Sequence, residues 1–180
     1  MKERICICGG GSLGHVIAGY LSAQKDVQVN ILTQKPDKWK GSLQIHTPQG
    51  EELQGELNIV TDLPEVALKD CSLVLLCLPG FAIKEQLHKI KPYVNEHTYV
   101  GSVFSSTGFF FDALSIFDNN VPLWGFQRVP FIARTVKYGE SANLLGYKNS
   151  HNIAVEHCDD KESFRQRIEY LFDAPVKMLN

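Results

Sequence analysis

The sequence predicts an α/β protein with a doubly wound, mainly parallel β-sheet, a β-hairpin insertion after the second strand and an antiparallel C-terminal extension. Three observations predict this fold. Apolar strand-like runs alternate with amphipathic helical patterns along the chain. The run 73–78 is apolar without interruption, which is typical of a central parallel strand buried on both faces. A glycine-rich turn joins the first strand to the first helix. With 180 residues, 44% of them hydrophobic, the chain can bury a substantial core as one domain.

The first strand, turn and helix lie within residues 4–21. Ile5 and Ile7 precede the turn at strand spacing, and apolar side chains then recur at helical spacing from Leu13 to Leu21. A second strand begins at Val27, which completes a β-α-β unit.

The turn itself has the G-x-G-x-x-G spacing of a dinucleotide-binding, Rossmann-type turn. In this interpretation Gly9 makes the tight turn, Gly11 lets a pyrophosphate approach the backbone, and Gly14 lets the helix pack closely on the strand. The free N–H groups at the start of the helix, at Ser12 and Leu13, then face the phosphates.

Two other interpretations of this turn are open. Residues 10–14 also match G-x-S-x-G, the nucleophile elbow of α/β-hydrolases, with Ser12 as the nucleophile. An elbow needs earlier strands to build its oxyanion site, and only one precedes Ser12. Asp and His residues that would complete the order Ser, Asp, His do follow in the chain: Asp112, Asp118, His151 and His157. The turn can also be purely structural, and we expect His15, just inside the helix, to face solvent.

The remaining elements follow in order. Residues 43–60 read as a hairpin with its turn at 48–50, placed before the third parallel strand. A short helix, a strand, a second amphipathic helix and another strand are predicted at 63–69, 73–78, 81–92 and 99–104. After Pro122 come four β-rich pieces, a helix and a short final strand, at 123–128, 133–138, 142–147, 152–156, 161–172 and 175–179. We expect the β-rich pieces to extend the sheet in the antiparallel sense.

The end of the second strand bears on the choice of cofactor. An NAD-specific site usually has a carboxylate about 20 residues beyond the glycines. The stretch at that distance contains Thr33, Gln34 and Lys35, and it has no carboxylate. We therefore predict NADP rather than NAD as the preferred cofactor, with Trp39 as a lid for the adenine. The alternative is that these lysine-rich residues only solvate a loop.

Composition argues against several other partners and sites. The 18 basic and 20 acidic residues are spread along the chain, which predicts no nucleic-acid surface and no anionic-membrane surface. No apolar run reaches membrane-spanning length. The five cysteines are odd in number and mostly lie in strand-like runs, so we expect a reducing, cytoplasmic location. Cys6 and Cys8 have no second Cys/His pair at zinc spacing, so no metal site is predicted.

Three segments resemble a known family. The runs 77–94, 129–139 and 145–148 are similar to the cofactor domain of the octopine/nopaline (opine) dehydrogenases, which are relatives of ketopantoate reductase and glycerol-3-phosphate dehydrogenase. The glycine turn is common to all of these, whereas the Pro-Gly-Phe-Ala turn at 79–82 and the segment 129–139 are more specific to opine dehydrogenases. One departure is Arg-Val-Pro-Phe at 128–131, where the family tends to have Asn-Leu-Pro-Trp.

The resemblance implies a site and a reaction. The nicotinamide of NADP or NAD would lie near Leu78 and Pro79. It would also lie near the backbone of Phe104, Ser105 and Ser106. In opine dehydrogenases the hydride reduces an imine formed from an α-keto acid and an amino acid, and in the ketopantoate reductase relatives it reduces a ketone.

The resemblance also implies a missing part. Opine dehydrogenases continue into a helical C-terminal domain that supplies the catalytic residues, so no catalytic residue is assigned within 1–180 and we expect no activity without that domain. A homodimer is a further expectation. A free-standing, non-catalytic module that senses the nucleotide is the alternative.

Overall fold

A computed structural model of the chain describes residues 2–105, 108–118 and 120–179. The strands in these residues are β1 Glu3–Cys8, β2 Val27–Leu32, β3 Ser42–His46, β4 Glu52–Thr61, β5 Leu73–Leu76, β6 Tyr99–Ser102, β7 Leu123–Phe126, β8 Phe131–Lys137, β9 Ser141–Tyr147, β10 His151–Glu156 and β11 Val176–Met178. These eleven strands form one sheet in the order β11-β10-β7-β6-β5-β1-β2-β4-β3-β9-β8. The helices are α1 Ser12–Ser22, α2 Pro64–Ala67, α3 Gly80–Ile90, α4 Phe109–Ile116 and α5 Lys161–Phe172.

The centre of the sheet is parallel, as predicted. β1 lies between β5 and β2 and pairs in parallel with both, so the order of connection reverses at β1. All four residues of β5 are buried, because helices cover both faces of the sheet. One face packs against α2, α3 and α4, and the other packs against α1 and α5. This is the doubly wound arrangement expected from the alternating sequence pattern.

The predicted hairpin is present, but it is not an excursion before the third parallel strand. β3 and β4 pair in the antiparallel sense across the turn. The second half of the ten-residue β4 also pairs in parallel with β2, from Leu57 to Thr61, after a register shift beside Val29. The hairpin's second strand is therefore itself the third parallel strand. A strand of this length reaches both neighbours, which the alternating sequence pattern did not reveal.

The β-rich pieces after Pro122 are distributed over both edges of the sheet. β7 extends the parallel sheet beside β6, so the prediction that it is antiparallel was wrong. β10 pairs with β7 in the antiparallel sense. Helix α5 connects β10 to β11, which pairs in parallel with β10. The antiparallel hairpin β8–β9 lies at the opposite edge, where β9 pairs in parallel with β3. Sequence periodicity identifies a strand but does not say which neighbour it will find.

The edge strand β8 folds back over α1. Phe131 of β8 lies 5.0 Å, between ring centroids, from Tyr20 of α1 and 5.8 Å from Phe172 of α5. The hairpin β8–β9 thus covers the helix that follows the glycine-rich turn. Among the helices of residues 2–105, 108–118 and 120–179, none combines the length and the apolar character that a membrane span requires.

Candidate functional site

The glycine-rich turn has the local geometry that its spacing predicts. Gly9 has φ of +120°, and a Cβ there would lie 2.5 Å from the carbonyl oxygen of Cys77. A Cβ on Gly14 would lie 2.8 Å from the carbonyl oxygen of Gly9, so only glycine lets α1 pack this closely. Gly11 differs from both, because a Cβ there would meet no atom within 4 Å. Gly11 is also the N-cap of α1, so this open space lies at the N-terminal end of the helix.

A cleft of about 360 Å³ opens beside this turn, at the carboxyl ends of β1, β2 and β4. Its other wall is α3. Ligands of open α/β sheets bind at this edge, next to the strand where the connection order reverses. The lining residues are Gly9, Gly10, Leu32, Thr33, Gln34, Lys35, Asp62, Pro64, Leu78, Phe81, Ala82, Glu85, Gln86, Lys89 and Tyr138.

Five of the predicted site residues line this cleft: Gly9, Thr33, Gln34, Lys35 and Leu78. The others lie along the same edge but outside it. Pro79 is the N-cap of α3, and Leu13 is half-buried against the core. Phe104 and Ser105 follow β6, and the Ser105 hydroxyl donates a hydrogen bond to the carbonyl oxygen of Phe126 at 2.8 Å. Ser106 lies outside the described residues.

Ser12 uses its side chain to hold β8. The backbone N–H of Thr135 donates to Ser12 Oγ at 2.9 Å, and Thr135 Oγ1 lies 3.1 Å from the same atom. Within the described residues, both hydrogen bonds of the Ser12 hydroxyl thus go to Thr135 and none goes to a histidine. This arrangement argues against the nucleophile elbow, which needs a free serine hydroxyl beside an imidazole.

The charges in the cleft are mixed. The end of β2 carries no carboxylate, as the sequence shows, but Asp62 follows β4 directly and lines the cleft. The N–H of Thr33 donates to the carbonyl oxygen of Thr61 at 2.9 Å, which keeps the two strand ends side by side. Sequence reasoning missed Asp62 because it did not recognise β4 as the neighbour of β2. On α3, Lys89 contacts Glu85 at 2.7 Å, and its hydrogen bond lowers the pKa of that carboxyl.

His15 is fully buried, so the expectation that it faces solvent was wrong. The N–H of Gly139 donates to His15 Nε2 at 2.7 Å, and His15 Nδ1 lies 2.9 Å from the carbonyl oxygen of Gly11. Because Nε2 accepts, the proton is on Nδ1 and is donated to Gly11. Burial lowers the pKa of His15, and the bond to Gly11 opposes this shift. The neutral imidazole therefore ties the glycine-rich turn to the β8–β9 turn.

Trp39 is buried rather than poised as an adenine lid, so that expectation was also wrong. Its ring stacks on His15 with centroids 4.3 Å apart, and its exposed fraction is 8%. The lid was predicted because Trp39 lies between Lys38 and Lys40, close in sequence to the residues expected to face the cofactor. The β8–β9 hairpin covers it, and that contact joins residues about a hundred positions apart.

Comparison with known proteins identifies the relatives of this chain. The family model of ketopantoate reductase PanE/ApbA matches residues 5–104. Octopine dehydrogenase of Pecten maximus is 25% identical over 83% of this chain and 41% of its own length. A solved octopine dehydrogenase with NADH and L-arginine superposes with a TM-score of 0.91, at 21% identity, over 99% of this chain and 49% of that one. A PanE/ApbA-family ketopantoate reductase from Ralstonia eutropha superposes with a TM-score of 0.75, at 16% identity, over 98% of this chain and 56% of that one.

The chain spans about half the length of the relatives that it matches. The resemblance to the cofactor domain of opine dehydrogenases and to ketopantoate reductase is confirmed. Since the family model covers more than half of the sequence, the chain belongs to the ketopantoate reductase PanE/ApbA family.

Proposed function

We propose that this chain binds a nicotinamide dinucleotide, NADPH or NADH, across the carboxyl ends of its parallel strands. The observation that carries the proposal is the open space at Gly11, where the backbone N–H groups of the first turn of α1 have no partner inside the helix. A helix start attracts phosphate through these N–H groups and through the helix dipole. The cleft beside Gly11 is the right place for the adenosine half.

Each part of the nucleotide has proposed partners. The pyrophosphate lies over Gly9, Gly11 and Gly14 and accepts hydrogen bonds from the backbone of Ser12 and Leu13. The Ser12 hydroxyl takes no part, because Thr135 already occupies it. The adenosine ribose faces the end of β2, and the residues proposed to contact it are Thr33, Gln34 and Lys35.

The nicotinamide half is proposed to lie where the strand order reverses. Leu78 and Pro79 follow β5 there, and Phe104 and Ser105 follow β6. The hydrogen bond from Ser105 to Phe126 fixes the backbone at the end of β6. These residues would bind and orient the ring, since none of them is an acid or a base.

The reaction we propose is hydride transfer from NAD(P)H to an imine of an α-keto acid and an amino acid. The bound nucleotide supplies the hydride, and this chain's residues hold and orient it. The similarity to octopine dehydrogenase over 83% of the chain supports this reaction. Reduction of a ketone is the second candidate, and the match of residues 5–104 to the ketopantoate reductase model favours it.

The proposal also covers the domain organisation of the protein, its location and its partners. Residues 1–180 serve as the dinucleotide-binding domain, and a helical C-terminal domain supplies the general acid and the pocket for the keto acid and the amino acid. The greater length of the relatives supports this division.

A homodimer and a cytoplasmic location stay predictions. The five free, buried cysteines support the cytoplasmic location. We also predict that neither nucleic acid nor a membrane is a partner, because basic and acidic residues are balanced in number.

The test is calorimetric titration of the 180-residue chain with NADPH and with NADH. We expect one nucleotide bound per chain, with ADP competing for the same site because the cleft holds the adenosine half. A chain that is folded by circular dichroism but binds neither nucleotide at millimolar concentration overturns the proposal.

A further inference from the structure

Tyr138 lies at the end of the β8–β9 hairpin, outside the parallel strands and their glycine-rich turn, yet it lines the proposed nucleotide cleft. A Cβ on Gly10 would overlap the Tyr138 hydroxyl oxygen and would lie 3.2 Å from Thr33 Oγ1. The phenol therefore sits directly over the glycine-rich turn, between the start of α1 and the end of β2. Among the described residues its hydroxyl has no hydrogen-bond partner, and the side chain is 37% exposed.

Two ring contacts of Tyr138 and two hydrogen bonds of the next residue fix the position of this side chain. The Tyr138 ring meets His15 edge to face at 5.0 Å and Trp39 at 5.8 Å, between ring centroids. The next residue, Gly139, donates its N–H to His15 and accepts a hydrogen bond from the N–H of Lys40 at 3.1 Å. Gly139 has φ of +72°, and a Cβ there would overlap the backbone of Lys38. The hydroxyl is thus held in place before any ligand arrives, which lowers the entropy cost of binding.

From these contacts we propose that Tyr138 is a cofactor-binding residue, whose hydroxyl donates a hydrogen bond to the adenosine half of the nucleotide. The acceptor is an oxygen of the adenosine ribose or of the phosphate attached to it, since the hydroxyl lies between the proposed places of these two groups. A phenol O–H is a strong donor to a phosphate oxygen, because the acceptor carries charge. The glycine at position 10 leaves the room that the tyrosine occupies. This inference rests on the proposed function.

Tyr138→Phe tests the role of the hydroxyl, because the phenyl ring keeps the contacts with His15 and Trp39. Binding of NADH, NADPH and ADP is measured by calorimetry for the variant and for the unchanged chain. We expect each affinity to fall by about tenfold, which corresponds to about 1.4 kcal/mol. The affinity for ADP should fall as much as the affinity for NADH, because the hydroxyl contacts the adenosine half that both ligands share. The matched control is Tyr147→Phe, which removes a hydroxyl that is directed to Gln49 away from this cleft.

The possible outcomes separate the two proposals. If the unchanged chain binds nucleotide and Tyr138→Phe binds it equally well, the role of Tyr138 is refuted and the proposed function stands. If the unchanged chain binds no nucleotide, both fail. If Tyr147→Phe weakens binding as much as Tyr138→Phe does, the effect is a general one and the inference is refuted. A tenfold loss confined to Tyr138→Phe, with the thermal midpoint unchanged, supports it.

Discussion

Valine at position 11 should abolish dinucleotide binding and leave the fold intact. Gly11 has φ of −82° and ψ of −177°, an extended conformation that any residue adopts. A Cβ there meets no atom within 4 Å, so the free chain has room for a Cβ at this position. A bound pyrophosphate would occupy that open space, and the added side chain would displace it from the N–H groups of α1.

The expected effect on stability is small because two terms oppose each other. Replacing glycine restricts the unfolded chain and stabilises the fold by about 0.4–1 kcal/mol. Losing glycine at an N-cap costs roughly 0.5 kcal/mol. The free energy of unfolding of Gly11→Ala should therefore stay within about 1 kcal/mol of the original. Gly14→Ala is the matched contrast, since its Cβ would lie 2.8 Å from the carbonyl oxygen of Gly9 and overpacking costs about 1–3 kcal/mol.

The assay pairs calorimetric titration with thermal unfolding followed by circular dichroism. Gly11→Val should show no measurable affinity for NADH or NADPH, and Gly11→Ala should keep part of the affinity because its side chain is smaller. Gly14→Ala should lower the thermal midpoint by roughly 2–4 °C for each kcal/mol of destabilisation. Unaltered nucleotide binding by Gly11→Val would refute the assignment of the glycine-rich turn to the pyrophosphate.

Three more predictions concern cofactor choice, turnover and pH. The unchanged chain should bind NADPH about tenfold more tightly than NADH because Lys35 favours a 2′-phosphate. Lys35→Glu should erase or invert this preference. Equal affinities for the two cofactors in the unchanged chain would contradict the prediction. The 180-residue chain should bind nucleotide but not oxidise NAD(P)H with pyruvate and amino acids, because no acid or base is assigned to the nicotinamide end; oxidation that survives purification would count against this. Burial lowers the pKa of His15 below its unfolded value of about 6.5, so its share of stability is complete above that pH and is lost as the pH falls toward the lowered pKa. Burial lowers the pKa of His151 too, so His151 also contributes to this loss of stability. His15→Gln should therefore reduce, but not remove, the decrease in unfolding free energy between pH 7.5 and pH 5.5, measured by urea denaturation. A decrease as large as in the unchanged chain would exclude His15 as a source of it.

The local features of the site could be read from the sequence because they join residues that are neighbours in the chain. The turn from β1 into α1 needs Gly9 for its backbone angle and Gly14 for close packing, and both requirements act within six residues. The uninterrupted apolar run at β5 likewise reports burial on both faces of a sheet. These features were enough to predict the parallel sheet, the cleft edge and the residues at the end of β2.

Only the tertiary structure decided which distant segments complete the site. Asp62 reaches the cleft because β4 pairs with β2, and Tyr138 reaches it because β9 pairs with β3 and carries the hairpin over α1. His15 is buried for the same reason, since its partner Gly139 is 124 residues away in the chain. A strand pattern shows which faces are apolar, but the edge that a strand joins depends on the free energy of the whole sheet. The sequence by itself therefore determined the glycine-rich turn, and the fold determined which side chains lie over it.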